Sequence, residues 1–151
     1  MHRIAFVCHG NICRSPMAEI IFRHMLEERG LTEEFQVDSA AVSAEELSNP
    51  IYPEARDTLR QHGLNPGDHR AWQLQRGDYD RFDFFLCMDR SNLSRLRLIF
   101  GGDPKRKCAL LLAYTDRPRE VEDPWYTGRF ERVYQEICEG CEGFLRELTG
   151  S

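Results

Sequence analysis

Short apolar or β-branched runs alternate along this chain with longer segments whose apolar residues recur every three to four positions. The runs Arg3–Cys8, Phe35–Ser39, Phe82–Met88 and Cys108–Ala113 predict strands. The first intervening segment predicts a helix with Ser15 as N-cap and Pro16 at its first position. Ala18, Ile21, Phe22, Met25 and Leu26 lie on one face, and Gly30 ends it. A second helix is expected from Pro53 to His62, closed by Gly63, and a third carries Leu93, Leu96, Ile99 and Phe100 up to the Gly101-Gly102 pair. The last segment has the clearest period, with Phe130, Val133, Tyr134, Ile137, Cys141, Phe144, Leu145 and Leu148 on one stripe.

Parallel strands joined by helices need right-handed crossovers, which cover both faces of a sheet. The pattern therefore predicts an α/β fold, a small doubly wound four-stranded parallel sheet with helices on both faces, forming a single domain over residues 1–151. Ligands of such folds bind beyond the carboxyl ends of the strands, where strand order reverses. That rule directs attention to Cys8–Ser15, Ser39–Glu46, Met88–Asn92 and the segment after Ala113.

Composition narrows the function classes. The chain has 151 residues with 25 acidic against 20 basic side chains, a net charge of −5, so no global basic footprint marks it for nucleic acid or anionic membrane. Its longest apolar run, Cys108 to Tyr114, is seven residues, where a membrane-spanning helix needs about 20. The few apolar residues after Arg3 are too short for a secretory leader, which predicts a cytoplasmic location. In a reducing compartment the six cysteines are expected as packed thiols, metal ligands or a catalytic thiol rather than as a disulfide framework.

The loop Cys8-His9-Gly10-Asn11-Ile12-Cys13-Arg14-Ser15 runs from a predicted strand end into a predicted helix start. Cys8 alone among the cysteines has an arginine six positions on. Gly10 and Asn11 tolerate left-handed backbone, so the loop can turn successive N–H groups of residues 9 to 13 and 15 inward as an anion nest. The helix start adds the positive end of its dipole. That field favours Cys8 as thiolate, Ser15 can hydrogen-bond its sulfur, and the planar fork of Arg14 can grip two phosphoryl oxygens. A phosphate loop with a nucleophile beneath the bound group is the chemical reading.

The string from Val7 to Glu19, V-C-H-G-N-I-C-R-S-P-M-A-E, resembles the signature of the low-molecular-weight protein tyrosine phosphatases. The likeness continues through Ser39-Ala40, Gly67 to Ala71, Met88 to Leu93 and Asp123-Pro124-Trp125-Tyr126. It implies hydrolysis of phosphotyrosine proteins, peptides and small aryl phosphates through a phosphocysteine, with Cys8, Arg14 and Asp123 as the catalytic set and no cofactor or metal. Asp123 precedes Pro124, which biases it to extended backbone, although Asp-Pro is equally an ordinary turn. Trp125 and Tyr126 are bulky aromatics in a polar loop and suit the walls of a cleft for a phenyl ring. The resemblance assigns His69 to bracing Asn11; a histidine packed beside Arg70 is the other reading.

Three features depart from that pattern or stand beside it. His9 replaces an apolar residue and is expected at the cleft mouth. Glu45 replaces an aromatic in the pocket wall; with Glu46 it would favour neutral or basic peptides. Cys13 could form a protective disulfide with Cys8 under peroxide or simply pack beneath the loop. Glu122 and Asp116 are rival carboxylates, expected to be solvated, and Asp89 and Ser91 are expected to cap the third helix. Cys138 and Cys141 read as core. Cys87 keeps open a thiol-dependent arsenate reductase, although Met88 to Phe100 lacks the further cysteine of such a relay. A catalytically weak phosphotyrosine-binding module is the remaining alternative.

Overall fold

The computed structural model describes residues 1–150 and contains a four-stranded sheet in the order β2-β1-β3-β4, every neighbouring pair parallel. The strands are β1 (His2–Cys8), β2 (Phe35–Ala41), β3 (Phe84–Cys87) and β4 (Cys108–Leu110). The helices are α1 (Arg14–Glu28), α2 (Pro53–Gln61), α3 (Arg90–Phe100), the one-turn α4 (Pro124–Thr127) and α5 (Phe130–Thr149). Among the described residues no helix is long and apolar enough to cross a membrane.

Alternation along β1 divides the core. Ile4 and Phe6 face α1, α2 and α5, whereas Ala5 and Val7 face Leu96 and Phe100 of α3, together with Phe82, Phe85 and Leu74. The chain steps from β1 to one side for β2 and to the other for β3. The order thus reverses at β1 and β3, and their carboxyl ends, at Cys8 and Cys87, lie next to each other in the register Val7↔Cys87. This is the crevice where a doubly wound sheet binds its ligand.

Several boundaries differ from the sequence expectation, each for a local reason. α1 begins at Arg14 with Cys13 as N-cap, so Ser15 lies inside the first turn; its hydroxyl is engaged by Cys8 and Asn11 instead of by a helix amide. β2 extends two residues further, to Ala41, because β1 pairs with it as far as Cys8. β3 begins at Phe84, not Phe82, since Arg76–Arg81 form a 3-10 helix and the Asp83 carboxylate takes the amide of Arg3 at 2.8 Å. The apolar run after Cys108 leaves the sheet at Leu110, and Leu111–Tyr114 form a 3-10 turn whose Leu111 and Leu112 are buried. Burial made both ends look like strand; turn hydrogen bonds decided otherwise. Asp89 caps α3 in a reciprocal box with Asn92, which leaves Ser91 without the capping role expected of it.

The long helix α5 approaches that 3-10 turn through two glycines. A Cβ at Gly143 would lie 2.1 Å from the Tyr114 carbonyl oxygen, and one at Gly140 would lie 2.5 Å from Leu111 Cγ. Alanine would gain about 1 kcal/mol of helix propensity, but a backbone oxygen cannot move aside as a side chain can. Gly143→Ala should therefore destabilise the fold by a net of about 1–3 kcal/mol, the usual cost of overpacking. Urea unfolding of the two proteins checks the sign.

Candidate active site

β1 ends with Cys8, 3% exposed, at the mouth of the crevice. The chain then turns through Asn11, whose φ of 60° is the left-handed conformation that asparagine adopts more readily than other side-chain-bearing residues. Gly10 does not share it. Glycine is needed there for space, because a Cβ would meet Glu46 Cγ at 3.1 Å.

Asn11 is fully buried and satisfied on every side. Its Nδ2 donates to Ser15 Oγ at 2.8 Å and Ser39 Oγ at 3.1 Å, and its Oδ1 accepts the Trp72 amide at 3.2 Å. Its carbonyl accepts His69 Nε2 at 2.8 Å, which fixes that nitrogen as the protonated one and gives the contact with Asn11 that the resemblance implied. Ser39 in turn donates to Glu19 at 2.6 Å. Because an amide nitrogen can only donate, the Ser15 hydroxyl keeps its own proton for Cys8 Sγ, 2.9 Å away. The Asn11 amide also points at that sulfur, at 3.3 Å. Two donors thus converge on the thiol. Among the described residues, the amides of Ile12 to Ser15 donate to no protein acceptor, the property an anion nest requires.

Arg14 is 3% exposed and held by its Nη1, which donates to Asp89 Oδ2 at 2.9 Å and to the Val121 carbonyl at 3.0 Å. Nη2 lies 3.5 Å from Asp123 Oδ2. Burial works against the guanidinium charge, but Cys8, Asp123 and Asp89 outweigh it and hold Arg14 above the ordinary arginine range. With Nη1 saturated, the Nε and Nη2 edge is the fork left for an oxyanion. Asp89 does more than cap a helix, and its place at the carboxyl end of β3 is the signal that could have identified the guanidinium contact.

Asp123 caps α4, its Oδ1 accepting the Trp125 amide at 3.1 Å, and its side chain is one-third exposed. A cleft of about 400 Å³ opens above Cys8, bounded by the loop, by Glu45 and Glu46 on one lip and by Asp123, Trp125 and Tyr126 on the other. Trp125 packs its ring on Tyr52 at 5.1 Å, whereas Tyr126 projects, 84% exposed. His9 Nε2 meets Glu45 Oε2 at 3.0 Å across the mouth.

The rival carboxylates part company. Asp116 is exposed, whereas Glu122 is partly buried: Arg129 and Thr127 bind it, and these hydrogen bonds hold its carboxyl below the usual range. Cys13 lines the cleft with Cys8, 7% exposed, its thiol pushed up by burial. Cys87 is wholly enclosed in β3 with its thiol pushed well up by desolvation, and Cys138 is raised to about 11, also by burial. Among the described residues no cluster of histidine, cysteine and carboxylate side chains could hold a metal.

A thiol under a ring of free amides and a buried arginine, with a carboxylate across the cleft, on a doubly wound sheet, defines a cysteine-dependent phosphoryl-binding enzyme class. The family model of the low molecular weight phosphotyrosine protein phosphatases matches residues 3–151, and the chain belongs to that family. It is 38% identical over 150 residues to the low molecular weight protein-tyrosine-phosphatase YfkJ of Bacillus subtilis, covering 98% of this chain and 96% of that protein. The human low molecular weight phosphotyrosine protein phosphatase is 39% identical over 149 residues, covering 95% and 94%. Among solved structures, the fold matches YfkJ with a TM-score of 0.95, over 99% of this chain and 96% of that one. It also matches a Drosophila arginine phosphatase at 34% identity and a TM-score of 0.88, over 97% of each chain.

Asp89 uses both of its oxygens, Oδ1 for the Asn92 amide and Oδ2 for Arg14 Nη1. Asp89→Asn has one oxygen and one NH2, so one of those two donors loses its acceptor and buried Arg14 loses a charged partner; stability should fall by about 1–3 kcal/mol. Inhibition by vanadate should weaken about tenfold, because a charge-assisted hydrogen bond no longer orients Arg14. Thermal unfolding and inhibition constants measured on the same preparation check both halves.

Proposed function

We propose that this chain hydrolyses phosphotyrosine monoesters, in proteins, peptides and small aryl phosphates, through a phosphocysteine formed on Cys8. The observation that carries the proposal is the convergence of Ser15 Oγ and the Asn11 amide on Cys8 Sγ, in a cleft that also holds the edge of Arg14 and the carboxylate of Asp123. Phosphate oxygens occupy the amides of the loop, His9 to Cys13 and Ser15, and the Arg14 fork, while Trp125 and Tyr126 flank the phenyl ring.

In the first step the Cys8 sulfur attacks phosphorus as the bond to the tyrosine oxygen breaks, and Asp123 delivers a proton to that oxygen. A phenol leaving group has a pKa near 10, so at neutral pH expulsion needs that proton. Arg14 and the amides gain strength as the equatorial oxygens spread in the transition state. In the second step water attacks phosphorus, Asp123 takes its proton, and the sulfur leaves with its electron pair. The Ser15 hydroxyl donates to the departing thiolate. Inorganic phosphate is the product, and Cys8 returns to its starting state.

The arsenate reductase reading loses its footing, since Cys87 is enclosed in the sheet, remote from solvent reductant. A binding module would need neither nucleophile nor acid. Cys13, one turn of loop from Cys8 and buried beside it, is the candidate for reversible protection of Cys8 from peroxide. Glu45 and Glu46 tilt the mouth toward peptides without acidic neighbours.

Cys8→Ser should abolish p-nitrophenyl phosphate hydrolysis while leaving phosphotyrosine binding measurable by calorimetry. Retained turnover would remove Cys8 as nucleophile. Asp123→Asn should lower kcat/KM for phenyl phosphate by about 10²- to 10⁴-fold, the usual contribution of a positioned acid, and lower that for p-nitrophenyl phosphate much less. Equal losses across a leaving-group series would take the acid's role from Asp123.

A further inference from the structure

The segment that carries Asp123 has no strand or helix of its own before α4, yet it is stitched down residue by residue. Glu120 accepts the Arg90 amide at 2.7 Å, and the Val121 amide donates to the Met88 carbonyl at 2.8 Å. The next peptide unit is the informative one. Its carbonyl, on Val121, accepts Arg14 Nη1 at 3.0 Å, and its N–H, on Glu122, donates to Glu136 Oε1 at 3.0 Å. One peptide is strung between the guanidinium at the bottom of the cleft and a carboxylate on α5.

Glu136 is 8% exposed, within a helix whose other buried positions are apolar or glycine. A carboxylate in such a place is costly to desolvate unless it is paired. Its two oxygens are divided between two partners: Oε1 takes the Glu122 amide, and Oε2 faces Arg119 Nε at 3.5 Å. Arg119 is itself clamped to Glu139 through both Nη atoms, at 3.0 and 3.3 Å. Glu136 is therefore fixed from behind and presents one acceptor to the backbone next to the acid.

We propose that Glu136 is a positioning residue for Asp123 and Arg14, acting through the Val121–Glu122 peptide. An anionic acceptor on the N–H polarises the peptide and strengthens its carbonyl toward Arg14. The same bond fixes where Asp123, one residue on, enters the cleft. Glu136 touches no substrate. This inference rests on the phosphatase reading above, and the experiment keeps the two apart.

Reach and charge can be separated. Glu136→Gln keeps an oxygen at the same distance from the Glu122 amide, whereas Glu136→Asp keeps the charge but withdraws it by one methylene. The measurement is kcat/KM for phenyl and p-nitrophenyl phosphate in the wild type, both variants and Asp123→Asn, with thermal unfolding alongside. For Glu136→Asp the loss on phenyl phosphate should exceed that on p-nitrophenyl phosphate by about tenfold, well inside the 10²-fold that a misplacement of about 1 Å can cause. Glu136→Gln should keep the wild-type ratio of the two substrates. In the double variant Glu136→Asp with Asp123→Asn, the leaving-group effect should be no larger than in Asp123→Asn alone, because there is no acid left to misplace.

Equal losses on both substrates in Glu136→Asp would overturn the proposal, leaving Glu136 a purely structural residue. A changed substrate ratio in Glu136→Gln, with none in Glu136→Asp, would also overturn it. A wild type that hydrolyses neither ester would sink the phosphatase reading itself, whereas an Asp123→Asn variant with an unchanged ratio would take the acid's role from Asp123 and overturn this proposal with it.

Discussion

The loop between β1 and α1 holds its shape because one buried asparagine has every polar group engaged. Asn11 sits at φ 60°, a conformation that costs an L-residue about 1–2 kcal/mol. In exchange its side chain and carbonyl make four hydrogen bonds, to Ser15, Ser39, Trp72 and His69. A net contribution of about 1 kcal/mol each outweighs the strain. The consequences reach the sulfur. Because Asn11 supplies the donor to Ser15 Oγ, the serine proton has one place to go, and that place is Cys8. A leucine or alanine at position 11 would leave buried donors and acceptors from β2 and the 69–72 segment without partners, which is costlier than the lost bonds themselves.

Electrostatics are organised around the second constraint, a buried guanidinium. Arg14 faces Asp89 at 2.9 Å, the Val121 carbonyl at 3.0 Å and Asp123 at 3.5 Å. The two short bonds share Nη1, on the side away from the open fork. The longest contact, to Asp123, lies on the side where an oxyanion would arrive. A cation that must be charged before and after each turnover is thus anchored by groups that never leave, while its working edge meets a partner that can yield. Burial removes water competition and makes each remaining contact stronger.

Much of this was legible in the chain. Alternating apolar runs and helical stripes define the doubly wound sheet because parallel strands admit few connections, and the strand-order rule then points to Cys8 and Met88. The loop's arrangement was legible because the thiol, arginine and serine are close in sequence. What sequence reasoning missed came from contacts far apart in the chain. Asp89 lies 75 residues from Arg14, and Glu136 lies 14 from the peptide it holds. Within Cys108–Ala113, burial mimicked a strand, although the chain leaves the sheet at Leu110. Ser15 carries the composition of a cap yet serves a sulfur, since its hydroxyl cannot do both.

The cleft divides into parts with different freedom to vary. Its floor, Cys8 together with Asn11 to Ser15, is buried and cross-bonded, so a change there breaks several interactions at once. Its rim is not. Tyr126 is 84% exposed, the Glu45 side chain 71% exposed, and His9 meets Glu45 where water competes. Exposed pairs of that kind contribute little to stability, typically 0 to ~1 kcal/mol. On the proposed reading, substitutions at the rim would alter which peptide approaches without disturbing how phosphorus is handled once it arrives. The acid loop falls between these extremes. Asp123 itself is partly open to solvent, but the backbone behind it is bound to Met88, Arg14 and Glu136. A partly exposed carboxylate on a fixed backbone is the arrangement that the proposed acid needs, since it would give up a proton in one step and take one in the next.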